Sequence, residues 1–313
     1  MLVYVPYFIM SDDAISGGTL TVKEAKSPMM QNFPFFPGAA ESHFSILQSK
    51  NCEKKTHTMI KSVSDEPASY VRKFVGLGSP KIEKVLLTKK EDFYMPPHWL
   101  DKIGNKKVIL FSTAFIGKRY GAAYFSKLAQ IISFIFSCED VVFWWRPHPL
   151  TREAIATTNE QFLATYDKTV ALAKASPTVI FDDTHDMHRA ITWSDACYGG
   201  GGSMPLIYSF TGRPTMRLNS KVKNIEEVGA DDFAIADFLA NDHAVKPLLN
   251  YASVERDTMH LGHFVHFVLW SANTDDGAAW VKNRKQVVCD TYANESATAG
   301  TAIFNHVKKM WMK

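Results

Sequence analysis

The feature that most constrains this chain is a regular alternation of strand and helix patterns between Lys107 and Leu218. Short runs with buried-strand character are each followed by a longer stretch whose apolar residues recur with helical periodicity. Strands that are joined through helices run parallel, since the crossover returns the chain to the same end of the sheet. The alternation therefore predicts an α/β fold with right-handed crossovers and a Rossmann-like parallel sheet.

The segments before and after this region predict a second, partial lobe and a helical tail. An apolar start, two short strand patterns and the glycine turn at residues 76–78 predict a partial N-terminal α/β lobe. The proline-bearing stretch from Thr88 to Asn105 is interpreted as the connection between lobes, and the tail from Ile225 reads as mostly helical. The prediction is an N-terminal Rossmann-like lobe with linker over 1–105 and a C-terminal Rossmann-like lobe with a helical tail over 106–313.

The predicted elements of the C-terminal lobe follow one another in order. Its strands are Lys107 to Ser112, Val141 to Trp145, Thr178 to Phe181, Ala196 to Tyr198 and Pro214 to Leu218. Its helices are Ala122 to Ser137, Arg152 to Ala175, Asp186 to Ser194 and Met204 to Thr211.

Composition excludes several function classes. With 35 basic and 32 acidic residues among 313, the net charge of +3 is too balanced to predict nucleic-acid binding. The four cysteines are widely spaced and form no C-x-x-C pair, so neither a zinc site nor a redox motif is indicated, and reduced cytoplasmic thiols are expected. No apolar run reaches the length of about 18 residues that suggests a membrane span, so any membrane contact would be peripheral.

Two polar residues follow the second predicted strand of the C-terminal lobe. Residues 141–149 run as an apolar strand and then read Arg146, Pro147, His148 and Pro149. The prolines are expected to end the strand and to hold Arg146 and His148 in a stiff loop at its carboxyl end, where ligands bind in open α/β sheets. The alternative is a plain turn with a solvated arginine and a histidine that bonds a carbonyl.

A run of glycines follows the fourth strand of this lobe. Residues 199–202 are glycine and Ser203 stands at an N-cap position, so successive backbone N–H groups could cradle an anion. No Gly-Lys-Ser/Thr or GxGxxG pattern is present, which disfavours a Walker loop and a dinucleotide cofactor. A glycine linker with Ser203 as an ordinary cap is the alternative.

Three further segments are candidates for the same cleft. Ser112 and Thr113 at the tip of the first strand, together with Lys118-Arg119 in its loop, could contact a diphosphate, unless these are solvated loop charges. Asp183 and His188 could meet a ribose or phosphate; capping by Asp186 or Thr184 explains the acids of this cluster better than a metal site does. Gly212-Arg213-Pro214 is best explained as a glycine C-cap with a proline stop.

Three motifs taken together resemble the CDP-glycerol glycerophosphotransferase family. They are Arg-Pro-His-Pro at 146–149, Ser-Asp-Ala at 194–196 before the small-residue loop that ends in serine, and Gly-Arg-Pro at 212–214. The likeness is strongest from Gly76 to Leu218. It implies a GT-B fold in which two Rossmann-like lobes clasp a nucleotide donor, and transfer of glycerol phosphate from CDP-glycerol to a teichoic acid or related cell-wall polymer.

The resemblance implies roles for individual residues. Arg146 and His148 match the family's Lys/Arg-x-His-Pro motif and are expected to be catalytic, His148 as a proton donor or as a hydrogen bond to the leaving phosphate. Gly202 and Ser203 match a paired-serine loop that binds donor phosphate, and Asp195 is expected to be structural support. The expected donor-binding set is Gly201, Gly202, Ser203, Ser112, Thr113, Asp183, His188 and Arg213.

The same resemblance implies the reaction and its setting. An acceptor hydroxyl attacks the β-phosphorus of CDP-glycerol and CMP leaves, with positioning and charge neutralisation as the main requirements. No metal and no cofactor is expected beyond CDP-glycerol as donor substrate, and the acceptor is a polyol phosphate or a glycan. The expected location is cytoplasmic, with contact at the inner face of the membrane left open, and the oligomeric state is left open.

Two departures from the family pattern bear on activity. Gly202 stands where the family has the first of two serines, which keeps the backbone cradle but loses a hydroxyl. Family members also carry a longer N-terminal lobe that supplies a general-base histidine, and this chain is expected to begin near the middle of that lobe. His43 is the one histidine near a strand start in this part of the chain, and no motif identifies it as that base.

Two alternative functions therefore stay open. One is a truncated or degenerate GT-B protein that holds a nucleotide without turnover. The other is a nucleotide-sugar glycosyltransferase or epimerase on the same scaffold, since a fold does not dictate a reaction.

Overall fold

The chain forms two compact units with separate parallel sheets. The computed structural model describes residues 1–6, 9, 37–63, 65, 68–113, 122–199, 203–218, 253–254, 261–294 and 298–312. One unit combines Met1–Leu87 with Lys285–Lys313, and the other is Thr88–Arg284. They are called here the small unit and the large unit.

The small unit contains a three-stranded parallel sheet in the order β1-β2-β3. The first ten residues, whose apolar sequence is typical of a strand, form a strand over only the two residues of β1 within the described part. The strands are β1 (Val3–Tyr4), β2 (Phe44–Ile46) and β3 (Phe74–Val75). The helices of its first segment are α1 (Pro37–Ala40), α2 (Lys50–Val63), α3 (Ala68–Arg72) and α4 (Pro80–Leu87).

The large unit contains a six-stranded parallel sheet in the order β6-β5-β4-β7-β8-β9. Its strands are β4 (Lys107–Thr113), β5 (Val141–Pro147), β6 (Val179–Phe181), β7 (Ala196–Gly199), β8 (Thr215–Arg217) and β9 (Ser253–Val254). Its helices are α5 (Pro97–Ile103), α6 (Ala122–Ser137), α7 (Thr151–Thr158), α8 (Leu163–Ala175), α9 (Met187–Trp193), α10 (Ser203–Tyr208) and α11 (Leu261–Asn273). Helix α12 (Asp275–Tyr292) begins in the large unit and ends in the small one, where α13 (Ala299–Trp311) follows.

The order of strands in the large sheet confirms the predicted alternation. Counted from β4 as the first strand, it reads 3-2-1-4-5-6, the doubly wound arrangement of dinucleotide-binding folds. The chain leaves β4 first toward β5 and β6, and later returns to build β7, β8 and β9 on the other side. The switch point therefore lies between β4 and β7.

The core of the large sheet alternates between its two faces along β5. Trp144 packs edge-on against Trp99 of α5, with ring centroids 5.0 Å apart. Trp145 points to the other face, where it joins the apolar cluster that includes Ile131 and Ile135 of α6. Since β5 is buried on both faces along its whole length, its near-continuous apolar sequence is explained.

The observed division of the chain differs from the predicted one. The stretch from Thr88 to Asn105 belongs to the large unit and is not an open connection, because α5 buries Trp99 and Ile103. Lys102 of α5 also donates its ammonium to the Val179 carbonyl at 2.8 Å. The C-terminal tail likewise does not belong wholly to the large unit, since its last 29 residues, 285–313, group with the small one.

The predicted helix Arg152–Ala175 is two helices. Asn159 ends α7 with an extended φ of −150°, and a short 3-10 turn over Glu160–Phe162 precedes α8. Asparagine is a weak helix former because its side chain competes for backbone hydrogen bonds. The break allows Phe162 to stack on Phe125 of α6, with ring centroids 4.1 Å apart.

Candidate functional site

Two predicted donor-binding residues lie at the switch point of the large sheet. Ser112 pairs with Gly199 in the register between β4 and β7, and both stand at the carboxyl ends of their strands. A Cβ atom on Gly199 would approach the Ser112 carbonyl oxygen to 2.6 Å, so glycine permits this close pairing. Thr113, one residue further, is buried. Ligands of open α/β sheets bind outside the carboxyl ends at this position.

Ser203 reaches the same edge from the other side of the glycine run. It is exposed and is the first residue of α10, which follows β7. Gly201 and Gly202 lie outside the described residues, as do Lys118 and Arg119. Ser112, Thr113 and Ser203 thus stand at or just beyond the carboxyl ends of β4 and β7, where the predicted crevice would lie, and their part in donor binding stays a prediction.

His148 stands immediately beyond the carboxyl end of β5 and is exposed. Its Nδ1 atom accepts a hydrogen bond from the Leu150 backbone N–H at 3.2 Å, and its carbonyl accepts from the Thr151 N–H at 2.8 Å. Partial burial lowers the pKa of the imidazole below its ordinary value of 6.5. An Nδ1 acceptor requires the neutral tautomer, in which the proton is on Nε2.

Behind this edge, a buried carboxylate organises the loop that follows β6. Asp182 is fully buried and accepts hydrogen bonds from the Trp144 indole at 2.9 Å and from the Thr184 N–H at 3.0 Å. It also pairs with the guanidinium groups of Arg146 at 3.0 Å and Arg189 at 3.5 Å. Two cations and several donors satisfy this carboxylate, which makes the cluster a rigid support for the strand tips.

The placement of Arg146 in a stiff loop is wrong. Strand β5 continues through Arg146 and Pro147, and the arginine side chain is only 6% exposed. Its guanidinium pairs with Asp182 and donates to the Thr184 carbonyl. The strand extends because the arginine finds a buried carboxylate on its own face of the sheet, beside Trp144. Its charge is therefore committed to Asp182.

The cluster after β6 divides into caps and exposed groups. Asp186 caps α9, accepting a hydrogen bond from the His188 N–H at 2.8 Å, as one predicted alternative had it. Asp183 is exposed two residues after the end of β6, and His188 is partly buried in the first turn of α9. No group of three or more potential metal-ligating side chains occurs within the described residues.

Arg213 lies at the opposite edge of the sheet from this crevice. It precedes β8 and donates to the Ile191 and Thr192 carbonyls, both at 3.2 Å, and to that of Ser194. These carbonyls end α9, which descends to the amino edge of the sheet between β6 and β7. The structure therefore does not bring Arg213 together with the other donor-binding candidates. Gly212, with φ of +76°, is the C-cap that the sequence indicates.

Asp195 is the structural support that the sequence suggested. Its carboxylate accepts from the Val108 N–H at 2.8 Å, while its own N–H donates to the Val108 carbonyl at 2.7 Å. This pair joins the starts of β7 and β4 at the amino edge. His43 likewise binds backbone near the start of a strand in the small sheet. It directly precedes β2, and its Nδ1 accepts a hydrogen bond from the Leu2 N–H at 2.9 Å.

Sequence reasoning missed the importance of Asp182. The available signal was its position directly after an apolar strand, where a carboxylate that cannot reach water must find buried donors. Pairing with Trp144 and Arg146 depends on the register of β5 against β6, which the sequence does not reveal.

No described helix is both long and apolar enough to cross a membrane. No family model matches the chain, and no curated protein matches it.

Solved structures do resemble it at low sequence identity. A putative UDP-N-acetylglucosamine 2-epimerase from Listeria monocytogenes matches with a TM-score of 0.51 and 12% identity, over 90% of this chain and 65% of that one. Staphylococcus aureus MnaA in complex with UDP gives 0.48 and 12%, over 89% and 66%. The wall teichoic acid polymerase TagF gives 0.45 and 14%, over 96% and 66%, and a TagF variant soaked with CDPG gives 0.46 and 14%, over 88% and 60%.

The likeness to the Listeria protein shows the fold. The chain is an α/β protein of the GT-B class with parallel sheets, as the sequence predicted. It spans slightly less than two thirds of the length of these solved structures.

Proposed function

We propose that this chain is a GT-B enzyme that acts on a nucleotide-activated donor, and specifically that it transfers glycerol phosphate from CDP-glycerol to an acceptor hydroxyl. The observation that supports the proposal is that Ser112, Ser203 and His148 stand at or just beyond the carboxyl ends of three neighbouring strands, β4, β7 and β5, of a doubly wound sheet. In such sheets this edge receives nucleotides, and the N-terminus of a helix after a glycine run suits phosphate.

The chemical step is a displacement at phosphorus. The acceptor oxygen forms a bond to the β-phosphorus of CDP-glycerol, and the bond from that phosphorus to the oxygen shared with the α-phosphate breaks. CMP leaves with the bridging oxygen and its electron pair, and the proton of the acceptor hydroxyl passes to solvent water. Negative charge increases on the CMP phosphate, so donors aimed at that oxygen accelerate the reaction.

His148 supplies such a donor. Its pKa is lowered and its Nδ1 accepts from the Leu150 N–H, so the neutral imidazole offers Nε2–H without first gaining a proton. This favours a hydrogen bond to the leaving phosphate over protonation by an imidazolium at neutral pH.

Arg146 acts in this proposal as a positioning residue. Its guanidinium is bound by Asp182 and by the Thr184 carbonyl, so it holds the loop after β6 against β5 and keeps the strand tip that carries His148 in place. Asp183 and His188 are proposed to face the donor from that loop. Arg213 is left out of the proposed donor site because of its place at the amino edge.

The proposed reaction requires no cofactor and no metal. The acceptor is a polyol phosphate or a glycan of a surface polymer, and the reaction takes place on the cytoplasmic side, where CDP-glycerol would be available.

Calorimetric titration with CDP-glycerol, CMP and UDP-N-acetylglucosamine tests this function, followed by an assay of CMP release with a glycerol phosphate acceptor. Cytidine-selective binding that His148→Ala weakens, together with CMP release, is the expected result. Binding of CDP-glycerol without turnover would favour the binding-only alternative. Preference for UDP-N-acetylglucosamine, with formation of UDP or an epimer, would replace the proposal with a glycosyltransferase or an epimerase.

A further inference from the structure

Helix α13 of the small unit carries exposed apolar side chains. Phe304 is 65% exposed, Trp311 is 74% exposed, and Met312, which directly follows the helix, is 76% exposed. Single apolar residues scattered over a surface are ordinary, but a group of large ones on one element marks an interaction surface. These three residues lie within nine positions of one another and include two aromatic rings.

The start of α13 and its opposite face attach the helix to the small unit. Ala299 is buried, and the Gly300 N–H donates to the Glu83 carboxylate at 2.7 Å. His306 packs edge-on against Phe44 of β2, with ring centroids 4.9 Å apart. These contacts hold the helix in place without the exposed residues, so the exposed face is not required by the fold.

The exposed apolar residues share one side of the helix with a lysine. At about 100° per residue, Phe304, Lys308, Trp311 and Met312 fall within roughly 100° of the circumference. The two aromatic residues are seven positions apart, which is about 10 Å along the axis, and Lys308 lies between them. Lys308 and the next residue, Lys309, are exposed, and α13 contains no acidic residue. Phe304, Lys308, Trp311 and Met312 are called here the α13 face.

The lysine within the α13 face distinguishes between two kinds of partner. A helix that docks in a protein groove presents apolar anchors at i, i+3 or i+4, and i+7. Counted from Phe304, the i+4 position is Lys308, whose ammonium would be buried at the centre of such an interface at a high free-energy cost. At a bilayer surface the same lysine packs its apolar stem along the acyl boundary while its ammonium stays among the lipid phosphates. Tryptophan also favours the headgroup level.

The charge of the small unit favours an anionic surface. Its two segments hold 14 basic and 10 acidic residues, whereas the large unit holds 21 basic and 22 acidic ones. Anionic lipids attract clustered lysines near a bilayer and add to the burial of apolar rings. The excess of positive charge therefore lies in the unit that carries the α13 face.

We infer that the α13 face docks on an anionic phospholipid bilayer, with Phe304 and Trp311 at the acyl boundary and Lys308 and Lys309 on the lipid phosphates. The helix lies on the bilayer, since its 13 residues are fewer than the roughly 20 that a spanning helix needs. The inference does not rest on the reaction proposed above, because docking requires neither donor nor acceptor.

Vesicle flotation measures the docking, with vesicles of phosphatidylcholine alone and of phosphatidylcholine mixed with phosphatidylglycerol. We expect binding to the mixed vesicles that weakens as salt is added. Replacing both lysines, Lys308→Gln with Lys309→Gln, should lower the partition coefficient about 30-fold. The charge-matched control, Lys106→Gln with Lys168→Gln, changes two exposed lysines of the large unit and should lower it by less than about threefold.

The aromatic part of the face is tested separately. Phe304→Ala and Trp311→Ala should each lower the partition coefficient about tenfold, and Tyr94→Ala, at an exposed aromatic residue of the large unit, is the control. Among the seven tryptophans, all within the described residues, Trp311 alone is exposed. Lipids brominated on their acyl chains should therefore quench part of the fluorescence, and Trp311→Phe should remove that part.

The exposed positions of these substitutions make loss of the fold an unsuitable explanation for weaker binding, and circular dichroism of each variant checks this. Absence of binding to the mixed vesicles at low salt, unquenched fluorescence in the bound protein, or equal losses in the α13 variants and their controls would each overturn the inference. Dimerisation in sedimentation velocity that Phe304→Ala abolishes, without vesicle binding, would assign the face to a second copy of the chain instead.

Discussion

The two edges of the large sheet differ in what their polar side chains do. At the amino edge, Asp195 and Arg213 are fully engaged with backbone groups, holding the starts of strands and the end of α9. At the carboxyl edge, His148, Asp183 and Ser203 are exposed. The motifs that carry these residues look alike in the sequence, yet the side chains at one edge are bound to backbone groups and those at the other edge are exposed. The position of a motif along its strand therefore decides which of these two roles its side chains have.

Arg146 belongs to neither group and sharpens the contrast. It stands one residue before the end of β5, but its charge is held inside by Asp182. A charged side chain near the carboxyl edge is therefore not by itself a candidate for ligand binding. It must also lie outside the buried cluster around Asp182 that supports this edge.

Replacing the supporting carboxylate should have the largest effect. Asp182→Ala leaves the buried Arg146 and the partly buried Arg189 without their shared partner, and we expect a loss of about 3 to 5 kcal/mol in the free energy of unfolding. Urea denaturation measures it. The matched control is Asp183→Ala, an exposed neighbour, with a change below about 0.5 kcal/mol. Similar losses in the two variants would contradict the distinction between the buried supporting carboxylate and its exposed neighbour.

His148→Ala tests the exposed side chains at the carboxyl edge. Removing the Nε2–H donor should reduce the rate of CMP release by about 100-fold, equivalent to about 2.7 kcal/mol, with the free energy of unfolding nearly unchanged. The assay is CMP release at saturating donor, with His98→Ala, an exposed histidine on α5, as control. A normal rate in His148→Ala would remove this residue from the site.

Arg213→Ala probes the amino edge. Loss of its hydrogen bonds to the carbonyls that end α9 should lower the free energy of unfolding by about 2 kcal/mol, because the helix end is left uncapped. Affinity for CDP-glycerol should stay the same in calorimetric titration. Weakened donor binding in a protein of normal stability would place Arg213 in the site after all.

Ser203→Ala should have a small effect on donor binding. A cradle at a helix start acts mainly through backbone N–H groups, so the affinity for CDP-glycerol should fall by less than about threefold. Ser203→Pro, which removes the N–H itself, is the contrasting variant for the same titration. A large loss in Ser203→Ala would mean that the hydroxyl carries the contact.

The titration of His148 gives the smallest signal. Its pKa in the folded protein is lowered from 6.5, so the neutral imidazole stabilises the fold above that pH and the contribution is lost as pH falls through the lowered pKa. NMR of the ring carbons should give a midpoint below 6.5 in the folded protein and one near 6.5 in urea. A midpoint above 6.5 in the folded protein would mean that a carboxylate faces the ring.

Much of the large unit was predictable because its signals are local. The bounds of α6 match the prediction, and all five predicted strands of the large sheet are found within two residues at each end. The burial of Arg146 was not predictable, since it depends on a carboxylate 36 residues further along the chain. The break between α7 and α8 was missed because residues 152–175 keep helical periodicity through Asn159. The unit boundary was missed because Pro96 and Pro97 resemble a linker, whereas they start a helix that packs through Trp99.

The small unit is assembled from two distant stretches of chain. The Asn294 amide oxygen accepts from the Lys50 N–H at 3.0 Å, and its NH₂ donates to the Gly76 carbonyl at the same distance. Residues 1–87 are synthesised long before this clasp can form, and every residue of the large unit also precedes Asn294 in the chain. The first segment of the small unit is therefore made before the large unit but completes its contacts after it, and the large unit can reach its own sheet order without waiting for it.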